Sequence, residues 1–352
     1  MPSLRTVLRT LLLFVVASIA IQSYLRLSYT KISNVYIQRP VQGFQGMVDG
    51  TADKPFVARA LVPFVVRHLA GMIAPEGEAA LVSPLQRLKV PLPEPIPPGR
   101  PGHVDLRSYA VWLTLAVGSM VLLADGVRAT LNRYYEGPTI LFDAMAAASV
   151  IAWPSLIWYA NYIYDAFTPT VVVWTLLCAI RRRWLAYYGL LILAALHKET
   201  MVVIPLAVGY LYWREWPRRR LFAEIGLQVA GVAAIRLYLS AVVFAANGGP
   251  RFNAFWYDNH NVTVSVWLSF LPTAVIITAL VVGLVLADWA DKPRGLKAMA
   301  LVVVPLLILA VPFGYVDEIR QYSEGYPGLI CLAFPSLVNA LNPGVVTRRP
   351  GT

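Results

Sequence analysis

Apolar runs follow one another along the whole chain, broken by short charged stretches, and this succession limits the fold more than any other feature. About ten runs read as membrane-spanning helices, at roughly 7–24, 108–124, 138–159, 167–180, 184–196, 201–213, 222–245, 265–287, 297–312 and 326–341. Inside hydrocarbon a backbone must satisfy its own hydrogen bonds, which leaves helices or closed barrels. The predicted class is therefore all-α, a polytopic helical membrane protein. Composition agrees: 58% of residues are apolar or aromatic and 14% are charged, a balance foreign to soluble domains of 352 residues.

Basic residues set the predicted orientation. Arg5, Arg9, Arg128, Arg133, Arg181, Arg182, Arg183, Arg214, Arg218, Arg219, Arg220, Lys292, Arg294, Lys297, Arg348 and Arg349 all fall on one side when the runs are threaded alternately. The positive-inside rule makes that side, and both termini, cytoplasmic. Short outside loops and span interiors hold only Lys198, Arg236, Arg251 and Arg320. The other basic residues sit in a large first extracytoplasmic loop, 25–107, long enough to escape the rule. The net charge of +11 thus belongs to membrane boundaries, and nucleic acid is not an expected partner. At the N-terminus, Arg5 and Arg9 precede Leu11 to Ile21, and Ser18-Ile19-Ala20 resembles a peptidase site. A cleaved signal peptide and a retained signal anchor both fit, and the apolar remainder of the chain favours the anchor.

Two runs are too short. Trp184 to Leu196 and Met201 to Trp213 each reach only ~20 Å as helices, against a hydrocarbon core of ~30 Å. Arginines close both outer ends, so the pair is a hairpin whose tip, His197-Lys198-Glu199-Thr200, lies at or near membrane depth. Charges there are expensive unless paired or facing a wet cavity. Two readings stand for Lys198 and Glu199: a functional pair, or a structural ion pair that holds the hairpin.

Within the first loop, 56–73 is apolar but carries Arg59, Arg67 and His68. It is predicted as an interfacial helix, since one more crossing would invert every later arginine cluster. Residues 84–101 hold seven prolines and are expected to form an extended connector. No repeat divides the chain, and a single integral-membrane domain is expected.

With this topology the polar motifs gather on the outer side. They are Asp49 and Asp53 in the first loop, Asp165 after Tyr164, Lys198 and Glu199, Asp258 with His260, and Asp317, Glu318, Arg320 and Glu324. Each has a plainer alternative. Asp53 and Asp258 suit solvated loop positions, Asp165 suits a helix cap before Thr168-Pro169, and Arg236, inside a span, suits either snorkelling or a lipid phosphate. Other chemistries lack their signatures. The histidines at 68, 103, 197 and 260 have no ligand spacing, Cys178 and Cys331 lie in apolar runs, and there is no phosphate-cradling Gly loop or Gly-x-Ser-x-Gly. Asn261-Val262-Thr263 matches a glycosylation sequon.

Several motifs in order resemble the bacterial integral-membrane glycosyltransferases of the GT-C superfamily. They are the first-loop Asp49 followed by Pro55-Phe56-Val57-Ala58-Arg59-Ala60-Leu61-Val62-Pro63, then Tyr164-Asp165, then Lys198-Glu199-Thr200, and finally Glu318-Ile319-Arg320 with Glu324 and Pro327. The resemblance spans most of the chain, through short motifs. It implies transfer of a sugar from a polyprenyl-phosphate-linked donor to a lipid, glycan or protein acceptor outside the plasma membrane, in envelope or surface-polysaccharide assembly. It implies Asp49 as catalytic base with Asp53 second, although Gly50 stands where the family often has an acidic or aromatic neighbour. Arg59, Lys198, Arg236 and Arg320 are the cations available for the lipid phosphate, with Asp165, Glu199, Glu318 and Glu324 as further binding residues. No cofactor beyond the lipid-linked sugar and no metal is demanded. A polysaccharide polymerase or ligase, and a non-enzymatic flippase or transporter of lipid-linked sugars, are the alternatives.

Overall fold

The computed structural model describes residues 4–31, 43–93, 96–98, 100, 103–156, 162–249, 273–313 and 319–350. These are mostly helical. The helices are α1 (Leu4–Lys31), α2 (Phe44–Asp49), α3 (Leu61–Gly71), α4 (Glu78–Arg87), α5 (Leu106–Tyr134), α6 (Thr139–Ala152), α7 (Thr168–Ile180) and α8 (Trp184–His197). They continue with α9 (Val203–Tyr212), α10 (Arg218–Tyr238), α11 (Thr273–Leu286), α12 (Arg294–Leu301), α13 (Val303–Phe313) and α14 (Tyr326–Leu341). Among the described residues three helical stretches are long and apolar enough to cross a membrane: Thr6–Arg26, Leu106–Tyr134 and Arg218–Val243.

Local chemistry sets the boundaries. Pro138, Pro217 and Pro293 stand immediately before α6, α10 and α12, in an extended conformation that turns into the helix. Proline's missing N–H costs nothing there, because a helix's first donors have no internal acceptor. Asp105 caps α5 through its side chain, accepting from the Ser108 amide at 3.1 Å. Gly50, at φ 77°, ends α2 in the left-handed region that a side chain would disfavour.

Helix α5 is the centre of the packing, touching α1, α3, α4, α6 and α7. Its buried side is a stripe of Tyr109, Trp112, Leu113, Ala116, Met120, Leu123, Ala124 and Val127. A second group of contacts joins α9, α12, α14 and α11 to α7 and α10. Glycine permits close backbone approach: a Cβ on Gly328 of α14 would lie 2.4 Å from the Ala300 nitrogen of α12. The outside of the bundle is greasy, with Phe14, Leu122, Leu185, Phe222, Leu227, Val242, Leu280 and Ile308 all exposed. Such surface suits lipid rather than water.

Charged groups collect at the two ends. One end carries the ion pairs Arg9–Asp125 (3.2 Å), Arg128–Asp143 (2.5 Å), Arg182–Glu215 (2.5 Å) and Arg349–Glu136 (3.7 Å). There the chain also makes a two-residue antiparallel pairing, β1 (Tyr135–Glu136) with β2 (Thr347–Arg348), absent from the all-α expectation. The opposite end holds the loops described below.

Several sequence-based boundaries need correction. Helix α4 runs through Pro84 to Arg87, so the proline-rich connector begins later than residue 84. Pro84 frees only the carbonyl one turn back, at exposed Ala80, where water can replace the lost bond. The helical part of 56–73 is Leu61–Gly71, with Pro55 and Phe56 in the preceding turn. The run 138–159 is α-helical only to Ala152, then continues as a 3-10 turn to Leu156. The run 297–312 starts earlier, at Arg294, and divides at Val302.

Candidate functional site

The short hairpin is present. Helix α8 ends at His197, Lys198 is extended, and a 3-10 turn over Glu199–Val202 leads into α9. Fourteen residues give α8 a length of ~21 Å, about half that of the 29-residue α5. Lys198 at the tip is buried, and Arg59, from the segment preceding α3, reaches Glu199 beside it.

Arg59 grips Glu199 with two bonds, Nε to Oε2 at 3.0 Å and Nη2 to Oε1. Arg236, from α10, reaches the same carboxylate through Nη2 at 3.2 Å. Its Nη1 donates to the Ala58 carbonyl at 2.5 Å and the Ala195 carbonyl at 3.4 Å. The Arg59 guanidinium also lies over the Tyr164 ring at 4.6 Å and the Phe56 ring at 5.5 Å.

A second pair lies beside it. Lys198 Nζ donates to Glu324 Oε1 at 2.9 Å, with the two side chains 6% and 0% exposed. Thr200 Oγ1 donates to the same oxygen, and Ser323 Oγ meets Oε2 at 3.4 Å. In a third pair, Arg320 Nη1 bonds Asp165 Oδ2 at 3.2 Å, and that oxygen also accepts the Tyr162 amide at 2.8 Å. Arg320 sits 4.5 Å over the Tyr162 ring, which stacks on Tyr164 at 5.4 Å. Asp165 is thus an ion-pair partner; α7 has no side-chain cap.

Seven of the sequence-derived candidates thereby meet: Arg59, Asp165, Lys198, Glu199, Arg236, Arg320 and Glu324. Among the described residues four cations, Arg59, Lys198, Arg236 and Arg320, meet three carboxylates, Asp165, Glu199 and Glu324. Asp49 and Asp53 stand apart from these pairs. Asp49 is exposed at the end of α2, where its Oδ1 accepts from Gln45 at 2.9 Å. Asp53 lies against Gly248, in a strand of loop tied down by Asn247, which donates to the Gly50 and Ala52 carbonyls at 2.9 Å. Glu318, with Asp317, Asp258, His260 and the sequon at Asn261, lies outside the described residues.

Sequence reasoning singled out no role for His197, Thr168 or Tyr162, and Tyr164 entered it only as the neighbour of Asp165 in the Tyr164-Asp165 motif. His197 is fully buried, its Nε2 3.0 Å from Thr168 Oγ1 and its Nδ1 without a partner. Tyr164 Oη and Asp165 Oδ1 are likewise buried and unpartnered. A lone histidine in an apolar run has no spacing signal, so only the fold reveals it. Unsatisfied buried polar atoms are uncommon, and three on neighbouring side chains mark this layer as polar inside. Among the described residues no three His, Cys, Asp or Glu side chains gather as a metal-ligand set. The donors of the network suit an anionic group.

No protein-family model matches the chain, and neither curated proteins nor solved structures provide a match.

Proposed function

We propose that this chain is a membrane glycosyltransferase of the GT-C type, transferring a sugar from a polyprenyl-phosphate-linked donor to a lipid, glycan or protein acceptor. In this reading about ten segments cross the plasma membrane, both termini are cytoplasmic, and the charge network faces the extracytoplasmic side. The observation that carries it is the convergence of four distant motifs on one network rich in guanidinium and ammonium donors. A phosphate ester entering from the membrane needs such a cationic, partly dry receptor. Acceptor attack requires a base: a carboxylate takes the hydroxyl proton, the oxygen bonds the anomeric carbon, and the bond from that carbon to the phosphate oxygen breaks. Polyprenyl phosphate leaves with the electron pair. Asp49, exposed on the same loop segment as Arg59, takes the base role, with Asp53 second.

Purified protein in liposomes, offered a panel of polyprenyl-phosphate-linked sugars and acceptor lipids, is expected to release polyprenyl phosphate. Asp49→Asn and Lys198→Ala should each lower that release at least ~100-fold, the scale of a general-base contribution. Release no faster than in protein-free liposomes refutes the reading. Movement of intact donor across the bilayer without cleavage would instead support the flippase alternative.

A further inference from the structure

We infer that the Arg59–Arg236 pair is an oxyanion site for a phosphate group, which Glu199 occupies when no ligand is bound. Two guanidiniums converging on one carboxylate offer the fork geometry that phosphate also accepts. The cradle does not depend on Glu199. Arg236 is held by the Ala58 and Ala195 carbonyls, and Arg59 by the faces of Tyr164 and Phe56. Both arginines would keep their aim if the carboxylate swung away.

Of the three network carboxylates only Glu199 is free to do so. Its side chain is 31% exposed, against 0% for Glu324 and 1% for Asp165. Glu324 and Asp165 have no solvent to move into, whereas Glu199 is already one-third exposed; Arg59 and Arg236, 10% and 12% exposed, would then need the incoming phosphate as their counter-charge. The exchange substitutes a phosphate for a carboxylate on the same donors, so binding measures the difference between two anions. Glu199 is then a competitor that sets a threshold on phosphate binding. The lipid-borne source of that phosphate rests on the proposed function; the exchange itself does not.

The test is titration of the full-length, detergent-purified protein with inorganic phosphate at constant ionic strength, read as ligand-dependent thermal stabilisation. Glu199→Gln removes the competing charge, and its phosphate dissociation constant should be at least ~10-fold below that of the wild type, about 1.4 kcal/mol. Equal or weaker binding overturns the inference. If Glu199→Gln does not purify in a monodisperse form, Glu199→Asp, whose carboxylate is withdrawn by one methylene, should show a gain of the same sign; no gain overturns the inference as well. Farnesyl phosphate in the same detergent separates the sources. Tighter binding than inorganic phosphate supports a lipid headgroup, and equal binding supports a soluble phosphate. A gain in phosphate affinity in a protein without transferase activity would keep the anion site while removing the proposed function.

Discussion

Neutralising Glu324 should be among the most damaging single changes available to this bundle. Glu324→Gln keeps the shape and an oxygen for Thr200, but leaves the Lys198 ammonium, 6% exposed, without its 2.9 Å counter-charge. Breaking a buried pair from one side costs about 3–5 kcal/mol, because the remaining charge has neither water nor a partner. The lower bound alone is roughly a hundredfold in the folding equilibrium. The double variant Lys198→Met with Glu324→Gln buries no orphan charge and should recover at least ~2 kcal/mol of that loss. Equilibrium unfolding by SDS in mixed micelles measures both. Arg182–Glu215 is the control. It is shorter, at 2.5 Å, but its side chains are 64% and 45% exposed, so Glu215→Gln should cost no more than ~1 kcal/mol. If Glu324→Gln lies within ~1 kcal/mol of the wild type, or the double variant is no better than the single, burial does not govern this pair and the argument fails.

Gly328→Ala should destabilise by about 1–3 kcal/mol, since the new methyl meets the backbone at Ala300 and Met299, which cannot rotate aside. Gly189→Ala on α8 is its counterpart, with nothing within 4 Å of the added carbon, and should be neutral or stabilise by up to ~1 kcal/mol in the same unfolding series. Asp105→Ala should cost about 1 kcal/mol near neutral pH through loss of the α5 cap. Burial pushes the Asp105 carboxyl up, but its bonds from Ser108 and Arg107 outweigh that and hold it below the usual carboxylate value. A lowered folded-state pKa gives stability that is present above the unfolded value, ~3.9, and lost as pH falls through the folded one. The difference between wild type and Asp105→Ala should therefore hold from pH 8 to 5 and shrink below pH 4; a difference independent of pH refutes the assignment.

Apolar runs bounded by arginine and proline made most helices legible in the sequence, because both signals are local. Helix α14 matches its expected span, 326–341, and α7 begins within a residue of its own. The boundaries that failed, at Pro84 and near Val302, depend on whether water or a neighbouring helix meets the freed backbone, which no window of sequence contains. Membership of the charge network was legible in part: Lys198, Glu199 and Arg236 stand in or between apolar runs, where a charge has few cheap environments, whereas Asp49 and Asp53 stand apart from it. Partner choice was not. Lys198 finds Glu324 across 126 residues, Arg59 finds Glu199 across 140, and Arg320 finds Asp165 across 155. The alternative that Asp165 caps a helix was suggested by its neighbours; its observed partner is the distant Arg320.

The hairpin's short length and its charged tip are one feature. Had α8 run the length of α5, Lys198 and Glu199 would have emerged into water, where an ion pair contributes little and no partner is required. At about half that length, Lys198 is buried and Glu199 is two-thirds covered, so each must be met. No group on the hairpin itself supplies enough counter-charge, so Arg59 comes from the covering loop, Arg236 from α10 and Glu324 from the turn before α14. The unmet charge of a short hairpin thereby draws three distant segments to one place. It ties the first loop to the last helix across the end of the bundle. A ligand that displaces Glu199 from the two arginines would act on the joint that holds these segments together.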